Sequence, residues 1–367
     1  MPSSCLSKPS LNLGSNDNAK NRSSSYDAKL DKLCEVAVIV ITYNGKRHLK
    51  ECFDALLKQT YRDFDVYLVD NASSDNSSLY VSQNFLNVKI IRHERNYGFA
   101  EGYNRAIKCV NSKYIALLND DTMVDSKWLE ELTVAMNKDS QILAVGSKIF
   151  FYDNPNLVQH AGGKLTLIGA GIDIGFGDID RSIYDEPRFV GTVCGGGMMV
   201  KKEFFERLGG FDGQYFAYFE DVDLCWRGWL QGYKTMYVPA SIVYHKFGGS
   251  WGVRNSHSRV YYGTKNRFAN IIKNLSAENL LLAIYSSIIL DLVKAVSFLL
   301  KKQPINVSSM LKAYYQTLHL LPNYLRIRSN LQGRRSVSDK VLFNLGLLST
   351  LSDSLREFRR LQKVTFQ

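Results

Sequence analysis

The stretch VAVIVITYNGK, residues 36–46, decides the fold class, because an apolar run ends here in a cluster of polar side chains. A short, continuous run of β-branched residues is typical of a strand that is buried on both faces. Comparable runs follow at DVYLVD (65–70), VKIIR (88–92) and YIALLN (114–119), with segments of helical pattern between them. This alternation predicts an α/β fold, in which βαβ units build a mixed, mainly parallel sheet flanked by helices.

Polar side chains follow three of these strands at the point where each strand ends. Residues 42–44 follow the first strand, Asp70 ends the second, and residues 119–121 follow the fourth. Ligands of such sheets bind at the carboxyl ends of the strands, so these side chains are candidates for one binding site. Carboxylate and amide oxygens at a strand end suit Mg²⁺ or Mn²⁺. Taken alone, the segment NDDT (119–122) is equally consistent with a solvated turn that caps the next helix.

The turn after the first strand reads TYNGK (42–46) and excludes two classes of nucleotide-binding protein. It contains neither the GxGxxG pattern of dinucleotide-binding oxidoreductases nor the GxxxxGK pattern of P-loop proteins. An acidic residue that ends the second strand of such a sheet, here Asp70, can accept hydrogen bonds from a base or a ribose. We therefore expect a nucleotide that is held without a glycine-rich phosphate loop.

A second acidic cluster lies in FEDVDLCWR, residues 219–227, at the predicted start of a helix. Glu220, Asp221 and Asp223 would interact favourably there with the helix macrodipole, which is the structural interpretation of the cluster. The functional interpretation is a general base, because a carboxylate among aromatic side chains is partly desolvated. His245 follows a later strand beside glycines, where it is a candidate metal or phosphate ligand or a structural histidine.

The net charge of +11 is concentrated in the last quarter of the 367 residues. Residues 271–367 contain 14 Lys and Arg but only 5 Asp and Glu, a net charge of +9. An anionic membrane surface and nucleic acid would both explain a basic region of this kind. Apolar helical segments within it favour the membrane, so nucleic acid is the less favoured partner.

Residues 278–302 are long and apolar enough for a membrane-spanning helix, which needs about 20 apolar residues. Asp291 and Lys294 interrupt the run on one helical face, which favours an amphipathic helix in the membrane plane, or packing against the α/β body, over a span. We expect residues 276–367 to bind an anionic membrane surface, and a homodimer interface is the alternative. Four arginines would then face the lipid headgroups: Arg334, Arg335, Arg359 and Arg360.

The remaining segments predict which parts of the chain are disordered and in which cellular compartment the protein is found. Residues 1–33 are rich in Ser and Asn and are predicted to form a disordered leader. The six cysteines stand far apart without a CxxC pair, so we expect a reducing cytoplasm and neither a disulfide framework nor a structural zinc site. Glycine-rich sequence at residues 155–190 predicts hairpins and a mobile loop.

Six motifs in order give the chain a family resemblance: VAVIVITYNG, LVDNASSDNS, RNYGFAEGYNRAI, IALLNDDT, CGGGMMVKKEFFERLGGFD and FAYFEDVDLCWRGWLQGYKTMYVPASIVYH. The sequence resembles the inverting nucleotide-sugar glycosyltransferases of family two, and within them the rhamnosyltransferase-type members with the GT-A fold. The resemblance covers about residues 35–270. It implies a GT-A (Rossmann-like) catalytic domain at residues 34–270, followed by a basic, amphipathic helical appendage at residues 271–367.

The resemblance also implies roles for residues of this sequence. Asp221, with its neighbour Glu220, would be the catalytic base, and Asp121 and His245 would hold a divalent metal. Asn119 stands where the family motif has its first aspartate. The implied donor-binding residues are Thr42, Tyr43, Asn44, Asp70, Asn96, Gly98, Asn104, Arg105, Asn119 and Asp120. The candidate acceptor-side residues are Gly195, Gly196, Gly197 and Trp226.

The function that the resemblance implies is transfer of a sugar from a nucleoside diphosphate to a hydroxyl group, with inversion and with the help of Mg²⁺ or Mn²⁺. It favours dTDP-rhamnose as the donor, with a UDP-sugar as the alternative, and a glycan or lipid-linked acceptor of cell-surface polysaccharide synthesis. The expected location is peripheral, on the cytoplasmic face of the cell membrane. The alternative function is nucleotide-sugar binding, without catalysis or with nucleotidyltransferase-like activity, by a protein with a basic tail.

Overall fold

The computed structural model describes residues 34–246, 257–354 and 356, so the predicted leader at 1–33 and the tail residues Arg359 and Arg360 lie outside the described residues. The strands are β1 (Val36–Thr42), β2 (Phe64–Asp70), β3 (Val88–Arg92), β4 (Tyr114–Asn119), β5 (Thr122–Val124), β6 (Ile142–Phe151), β7 (Asn154–His160), β8 (Gly163–Thr166), β9 (Gly171–Asp173), β10 (Asp178–Ile179), β11 (Arg188–Phe189), β12 (Gly197–Lys201), β13 (Lys234–His245) and β14 (Leu348–Ser349). The α-helices are α1 (Lys46–Leu56), α2 (Ser77–Asn84), α3 (Gly98–Lys108), α4 (Trp128–Met136), α5 (Lys202–Arg207), α6 (Glu220–Leu230), α7 (His257–Asn274), α8 (Ala277–Leu300), α9 (Pro304–Gly333) and α10 (Asp339–Asn344).

A large sheet forms the centre of the molecule, and its main path runs in the order β10–β7–β6–β12–β4–β1–β2–β3. β1 pairs in parallel with β2 and β4, and β2 pairs in parallel with β3, whereas β12 runs antiparallel between β4 and β6. The predicted strands 36–42, 88–92 and 114–119 are found with those bounds, and the strand predicted at 65–70 begins one residue earlier. The predicted mixed, mainly parallel sheet flanked by helices is confirmed.

The parallel register brings the carboxyl ends of β1, β2 and β4 to one edge of the sheet. Thr42 pairs with Asp70 across β1 and β2, and Asn119 lies beside β1 at the end of β4. Alternate residues of β1 enter different hydrophobic clusters, with Ile39 in one and Val38 in the other. Because successive side chains of a strand point to opposite faces, helices cover both faces of the sheet and leave its edge as the open side.

The glycine-rich segment at residues 155–190 forms the predicted hairpins. β7 and β10 extend the main sheet, while β8 pairs with β9 and with β14 in a second sheet of three strands. Much of the segment that was expected to be a mobile loop is therefore paired backbone. Since β14 lies close to the end of the described chain, the C-terminal region completes this second sheet.

The C-terminal region is part of the α/β body and not a separate appendage. The predicted boundary at residue 270 falls inside α7, which is one continuous helix. All residues from 264 to 274 are buried. Lys273 ion-pairs with Asp212 at 2.7 Å and with Asp223 at 2.9 Å. Removal of α7 would leave Asp212 without its cation and the buried Asp223 with Arg227 alone, so α7 belongs to the fold of the body.

The charged pair of α8 faces the protein and not the solvent, as in the predicted packing of this helix against the α/β body. Asp291 is buried, and each of its carboxylate oxygens accepts a hydrogen bond of 2.6 Å from Arg267 of α7. Tyr314 of α9 donates to the same carboxylate at 2.9 Å, and the Lys294 ammonium lies 3.7 Å from it. These contacts offset the cost of burying the charge and tie α8 to its two neighbouring helices.

The structure describes two of the four arginines that were expected to face lipid headgroups. Arg335 donates to the carboxylate of Asp339 and, at 2.8 Å, to the backbone oxygen of Val337. It therefore stabilises the loop before α10 and does not extend toward a surface, so its prediction is wrong. Arg334 is exposed at the end of α9, where contact with headgroups stays a prediction.

Candidate functional site

The turn after β1 and the turn after β4 form one unit. The hydroxyl of Thr42 donates a hydrogen bond of 2.5 Å to the carboxylate of Asp120. Gly45 lies against the same carboxylate, and a Cβ atom at this position would come within 1.8 Å of Asp120 Oδ2. Only glycine permits so close an approach, so the TYNG turn is matched to the NDD segment. Asp120, a predicted donor-binding residue, therefore connects the two turns through these contacts.

Asn44 joins this unit to the turn after β2. Its backbone is left-handed, with φ of 58°, a conformation that Asn adopts more readily than most residues. Its side-chain oxygen accepts a hydrogen bond of 2.8 Å from the backbone of Ser74, and its own N–H donates to the Ser73 hydroxyl at 3.0 Å. Tyr43, beside it, is 48% exposed. Of the predicted residues 42–44, Thr42 ends β1 and is buried, whereas Tyr43 and Asn44 lie on a preorganised surface.

A cavity of about 450 Å³ opens beside this surface. Cationic side chains at the start of α1 contribute to its wall, and concentrated positive charge favours an anionic ligand. The sequence analysis did not select these residues, although the basic run KRHLK directly after the TYNG turn was a visible signal. The lining residues are Asn44, Lys46, Arg47, Lys50, Asp75 and Tyr80.

Asp70 is buried at the end of β2, with only 1% of its surface exposed. One carboxylate oxygen accepts a hydrogen bond of 2.7 Å from the backbone of Ser73, and the other accepts from the hydroxyl of Ser78. Arg92 approaches the same group to 3.7 Å. Asp70 thus shapes the turn before α2, and the predicted contact with a base would exchange one of these hydrogen bonds.

Asn96 and Gly98, at the start of α3, are held by Asn71. The Asn71 amide nitrogen donates to the side-chain oxygen of Asn96 and to the backbone oxygen of Gly98, both at 2.9 Å. Gly98 has φ of 74°, and a Cβ there would lie 2.4 Å from the backbone oxygen of Phe216. The start of α3 therefore connects the end of β2 to the loop before α6. The site prediction omitted Asn71, although it directly follows Asp70.

Asn104 does not line the donor surface as the sequence analysis predicted. Its amide donates to the backbone oxygen of Phe211 at 2.7 Å, and its oxygen accepts from the Phe211 N–H at 2.9 Å. Both polar ends of the side chain are thus used to hold the turn after α5. Arg105, the predicted phosphate partner, is ion-paired with Glu101 at 2.8 Å and lies 4.0 Å from the ring centre of Tyr97.

Asp121 and His245 meet at the centre of the open sheet edge. The antiparallel register of β5 and β13 places His245 opposite Thr122. His245 Nε2 and Asp121 Oδ1 are 3.2 Å apart, and the Gln159 side-chain amide lies 2.9 Å from His245 Nδ1. A buried carboxylate beside an oriented imidazole suits Mg²⁺ or Mn²⁺, which take few protein ligands and complete their coordination with phosphate and water. Among the described residues no group of three or more His, Cys, Asp or Glu side chains is arranged to hold a metal ion, so an ion at this pair would share its coordination with a bound ligand.

Asp221 lies in the first turn of α6, where backbone groups hold its carboxylate. The Gly195 N–H donates to one oxygen at 2.9 Å, and the Val222 N–H donates to the other at 2.7 Å. Burial raises the pKa of Asp221, and the two hydrogen bonds oppose that rise. A carboxylate with a raised pKa is a better proton acceptor, which suits a general base.

Glu220 is buried beside Asp221, and its Oε2 atom has no hydrogen-bond partner among the described residues. Burial and the adjacent charge of Asp221 raise the pKa of Glu220 well above its usual range. Two neighbouring carboxylates in a poorly solvated site cannot both ionise at low cost. Glu220 therefore keeps its proton to higher pH, and Asp221 is the charged member of the pair.

Asp223, the third carboxylate of this cluster, is structural. It ion-pairs with Arg227 at 2.7 Å and with Lys273 at 2.9 Å and has no exposed surface. Burial alone would raise the pKa of Asp223, but the two cations outweigh burial and hold it at about 2. The residue anchors α6 to α7 as a permanent anion and takes no part in proton transfer.

The glycines before and at the start of β12 lie between the turn after β4 and the start of α6. The Asn119 N–H donates to the Gly196 oxygen at 3.4 Å, and a Cβ at Gly196 would lie 3.1 Å from the Asn119 amide. A Cβ at Gly195 would lie 3.6 Å from the Cβ of Asp221. Gly197 continues into β12 opposite β4. These small residues allow the candidate metal and base segments to approach one another.

Trp226 is not on the acceptor side, so that prediction is wrong. Its side chain is completely buried in a hydrophobic cluster with Leu165, Phe268 and Leu331. Positions five residues apart on a helix point about 140° apart, at 100° per residue, so Trp226 does not share the face of Asp221. A fully buried ring cannot contact a bound acceptor.

Two residues near Asp221 were missed by the sequence analysis. His160 ends β7 and Asp173 ends β9, and His160 Nδ1 lies 2.8 Å from Asp173 Oδ1. His160 is buried, and its Nε2 atom has no hydrogen-bond partner within the part of the chain that the structure describes. The charge of Asp173 raises the pKa of Asp221, and that of His160 lowers it. Both lie in irregular glycine-rich sequence, where no periodic signal marks single residues.

Comparison with known proteins agrees with this arrangement. The sequence pattern of glycosyl transferase family 2 matches residues 37–209, which include the turns after β1, β2 and β4 and the glycines beside Asp221. This match places a glycosyl transferase family 2 domain at residues 37–209. A second pattern, the N-terminal domain of galactosyltransferase, matches residues 181–247, which include both Asp221 and His245.

Relatives of the family 2 domain include the N-acetylglucosaminyl-diphospho-decaprenol L-rhamnosyltransferase of Mycobacterium tuberculosis. It is 26% identical over 237 residues, which are 59% of this chain and 77% of the relative. An uncharacterized protein of Sinorhizobium fredii is also 26% identical, over 235 residues, which are 59% of this chain but only 25% of that protein. The predicted rhamnosyltransferase-like member of family 2 is thus supported by sequence.

A solved structure shares the fold of the family 2 domain. GalNAc-T7 with UDP, GalNAc and Mn²⁺ superimposes with a TM-score of 0.54 at 20% identity, covering 68% of this chain and 49% of that chain. At this level of identity the likeness shows the fold, and the predicted GT-A fold is confirmed.

The loop directly before the Glu220–Asp221 pair is strained. Three of its side-chain-bearing residues have positive φ, a backbone conformation that costs on the order of 1–3 kcal/mol each and persists only where the surroundings enforce it. Such strain often occurs next to functional groups. The residues are Phe216 with φ of 61°, Tyr218 with 71° and Phe219 with 67°.

Asn266 of α7 holds this strained loop, and it lies outside both matched regions, residues 37–209 and 181–247. Its amide nitrogen, which carries two hydrogens, lies within hydrogen-bonding distance of three backbone oxygens, those of Tyr215 at 3.0 Å, Ala217 at 2.8 Å and Tyr218 at 2.7 Å, and the two N–H groups are shared among them. The side chain is fully buried. A sequence signal was present, because TKNRFANIIKN (264–274) places polar residues all around a helix, which indicates that some are buried and hydrogen-bonded.

Asn266→Leu is expected to destabilise the protein by about 3 kcal/mol, because buried carbonyls left without a donor cost about 1–3 kcal/mol each. The loop is also expected to relax, so transfer should fall even at temperatures where the variant is folded. Chemical denaturation and initial rates measure the two effects. Asn84→Leu, at an exposed position of α2, is the matched control and should change stability by no more than about 0.5 kcal/mol. Equal behaviour of the two variants would show that Asn266 does not hold the loop.

Proposed function

We propose that the chain transfers a sugar from a nucleoside diphosphate to an acceptor hydroxyl with inversion at C1. The observation that carries this proposal is the pairing of β12 with β4, which connects the segment of Asp121 to Gly195 and, through it, to Asp221. A donor held near Asp121 and an acceptor held near Asp221 would then be adjacent to each other, beside the glycines that lie between these two carboxylates. Holding two reactants in line contributes much of the rate in such reactions.

The donor would be held at the ends of β1, β2 and β4. Asp121 and His245 would hold Mg²⁺ or Mn²⁺, and such an ion stabilises the negative charge of a departing diphosphate. Lys46 and Arg47 line the neighbouring cavity, where their charge favours phosphate groups. The presence of Mn²⁺ and UDP in the GalNAc-T7 structure supports this choice of ligands.

Asp221 would accept the proton of the acceptor hydroxyl while its oxygen attacks C1. The new bond joins C1 to the acceptor oxygen, the bond from C1 to the diphosphate oxygen breaks, and the nucleoside diphosphate leaves with the bonding electrons. Attack from the side opposite the leaving group inverts the configuration. His160 and Asp173, whose charges act on Asp221, would form the acceptor wall together with Gly195.

We further propose dTDP-rhamnose as the donor, with a UDP-sugar as the alternative. The proposed acceptor is a glycan or lipid-linked glycan of cell-surface polysaccharide synthesis at the cytoplasmic face of the membrane. The name of the mycobacterial relative, an L-rhamnosyltransferase that acts on a diphospho-decaprenol sugar, supports both choices.

Donor binding is tested by thermal unfolding with dTDP-rhamnose, UDP-sugars and GDP-sugars, each with and without Mn²⁺. A ligand at 100 times its dissociation constant stabilises the native state by about 2.7 kcal/mol, so the true donor should raise the unfolding temperature in a metal-dependent way. Release of nucleoside diphosphate in the presence of a polyprenyl-diphosphate sugar then measures transfer. No shift with any donor would contradict the proposed binding site, and a shift without turnover would contradict the proposed transfer.

A further inference from the structure

α8 exposes an apolar stripe to solvent along its length. The exposed fraction is 77% at Leu281, 61% at Leu292 and 80% at Leu300. A surface helix of a soluble protein normally turns its apolar face to the core, whereas the residues that α8 buries are Ala283, Ser286, Ser287 and Asp291. The helix therefore has its polar side inward and its apolar side outward. The stripe also contains Leu282, Tyr285, Ile288, Ile289, Val293, Val296 and Leu299.

α9 packs on α8 and extends the exposed apolar area. Its Ile305, Leu311, Tyr315 and Leu318 are each more than half exposed. We call these residues and the α8 stripe together the α8–α9 apolar surface. Contiguous apolar patches of this kind mark interaction surfaces, because soluble monomers rarely leave large ones uncovered.

The charges around the α8–α9 apolar surface fit an anionic partner. Asp291 is the only carboxylate between residues 279 and 338, and it is buried against Arg267. Lys301 and Lys302 are exposed at the turn between the two helices. A second copy of the chain would bring like charges together around the patch, whereas phospholipid headgroups would oppose them.

We propose that the α8–α9 apolar surface docks in the plane of a bilayer that contains anionic phospholipid. By length and composition α8 is also the one helix, within the described part of the chain, that could cross a membrane. Crossing would pull Asp291 away from Arg267 of α7 and Tyr314 of α9 and leave its carboxylate in hydrocarbon. In-plane docking keeps this cluster and buries only the apolar stripe.

α7 connects the docking helices to the acceptor side of the site. Arg267 also donates to the backbone oxygen of Ile168 at 3.3 Å, and Asn270 donates to that of Gly169 at 2.8 Å. Both oxygens belong to the turn between β8 and β9, and β9 carries Asp173 of the proposed acceptor wall. A lipid-linked acceptor would then reach the site from the membrane to which the protein is docked. This last step rests on the proposed function, whereas the docking itself does not.

The experiment is flotation of the full chain with large unilamellar vesicles, measured without donor or acceptor. We expect binding to vesicles of phosphatidylcholine with 30% phosphatidylglycerol and weaker binding to phosphatidylcholine alone. The triple variant Leu281→Ser, Leu292→Ser and Leu299→Ser should lower the partition coefficient at least tenfold. The matched control replaces three exposed apolar residues elsewhere, Leu79→Ser, Leu86→Ser and Ile183→Ser, and should bind as the wild type does. The unfolding temperature of each variant, measured without donor, checks that the α/β body is folded.

Three outcomes would overturn the proposal. The first is failure of the wild type to float with anionic vesicles, or equal binding by both triple variants. The second is a dimer in sedimentation velocity without lipid that the α8 triple variant alone dissociates, which would make a second copy the occupant. The third is retention in the membrane after alkaline carbonate extraction, which would indicate a span. A variant that loses vesicle binding but keeps donor binding would show that failure of membrane docking is distinct from failure of the proposed function.

Discussion

Asp221→Asn is expected to lower the rate of sugar transfer by about 10²–10⁴-fold, the range that a positioned general base contributes. Asparagine has nearly the same size as aspartate, and its oxygen can still accept the hydrogen bond of 2.9 Å from the Gly195 N–H. Its amide cannot take the proton of an acceptor hydroxyl. Donor affinity is expected to stay unchanged, because the donor surface lies at the ends of β1, β2 and β4. The measurement is the rate of nucleoside diphosphate release with both substrates saturating.

The pH dependence of this rate gives a second readout of Asp221. Burial raises its pKa, so the base stays protonated and inactive to a higher pH than a free Asp side chain with a pKa of about 3.9. Transfer by the wild type should therefore rise with pH along an acid limb, and the residual activity of Asp221→Asn should lack that limb.

The matched control for Asp221 is Glu203→Gln, which neutralises an exposed carboxylate on α5. It should keep both the rate and the acid limb of the wild type, because exposed ion pairs contribute little. An Asp221→Asn variant with the wild-type rate and intact donor binding would show that another group takes the proton.

Asp121→Ala is expected to lower kcat/KM by more than about 100-fold and to abolish the effect of Mn²⁺ on donor binding. The side chain is buried 3.2 Å from His245, and the two residues are the proposed protein ligands of the ion. Loss of residues that only orient a ligand already costs about 10–100-fold, so loss of a direct ligand should cost more. Calorimetric titration of the donor with and without Mn²⁺ measures the metal-dependent part of the affinity.

Asp54→Ala is the control for Asp121, because it removes an exposed carboxylate that pairs with Lys50 on α1. It should leave the Mn²⁺ effect and the unfolding temperature close to those of the wild type. If Asp121→Ala binds donor with the full Mn²⁺ dependence, the ion is held elsewhere. A general loss of folding is recognised separately, because it would lower the unfolding temperature without donor.

The strands and the edge at which the candidate site lies were predictable from local sequence. Apolar runs with polar ends, such as VAVIVITYN and YIALLNDD, indicate buried strands. Parallel pairing of these strands brings their carboxyl ends together. Asp121 and Thr42 were therefore expected on one edge, and they are found there. The predicted carboxylate at Asp221 also lies near this edge, through its hydrogen bond to Gly195.

The contacts of single side chains were less predictable, because the position of a residue within a motif does not determine which neighbours its side chain contacts. Asn104 and Trp226 lie within the matching motifs, yet one binds the backbone of Phe211 and the other is buried in the core. Conversely, Asn266 lies outside the motifs and holds the strained loop before Asp221 through three backbone oxygens. Its role arises from the packing of α7, which connects residues about 50 positions apart.

Local sequence specifies the α/β class, the open edge of the sheet and the family 2 motifs, because buried strands and their positions along the chain follow from apolar patterns. The amphipathic character of α8 is local in the same way. Which face of α8 contacts the protein depends on tertiary packing, since helical periodicity distinguishes two faces but does not identify their partners. Asp291 of α8 pairs with Arg267 of α7. Because this ion pair is buried, the apolar face of α8 points away from the protein. Long-range pairing of charges, which no local pattern encodes, therefore set the surface that the protein presents to its surroundings.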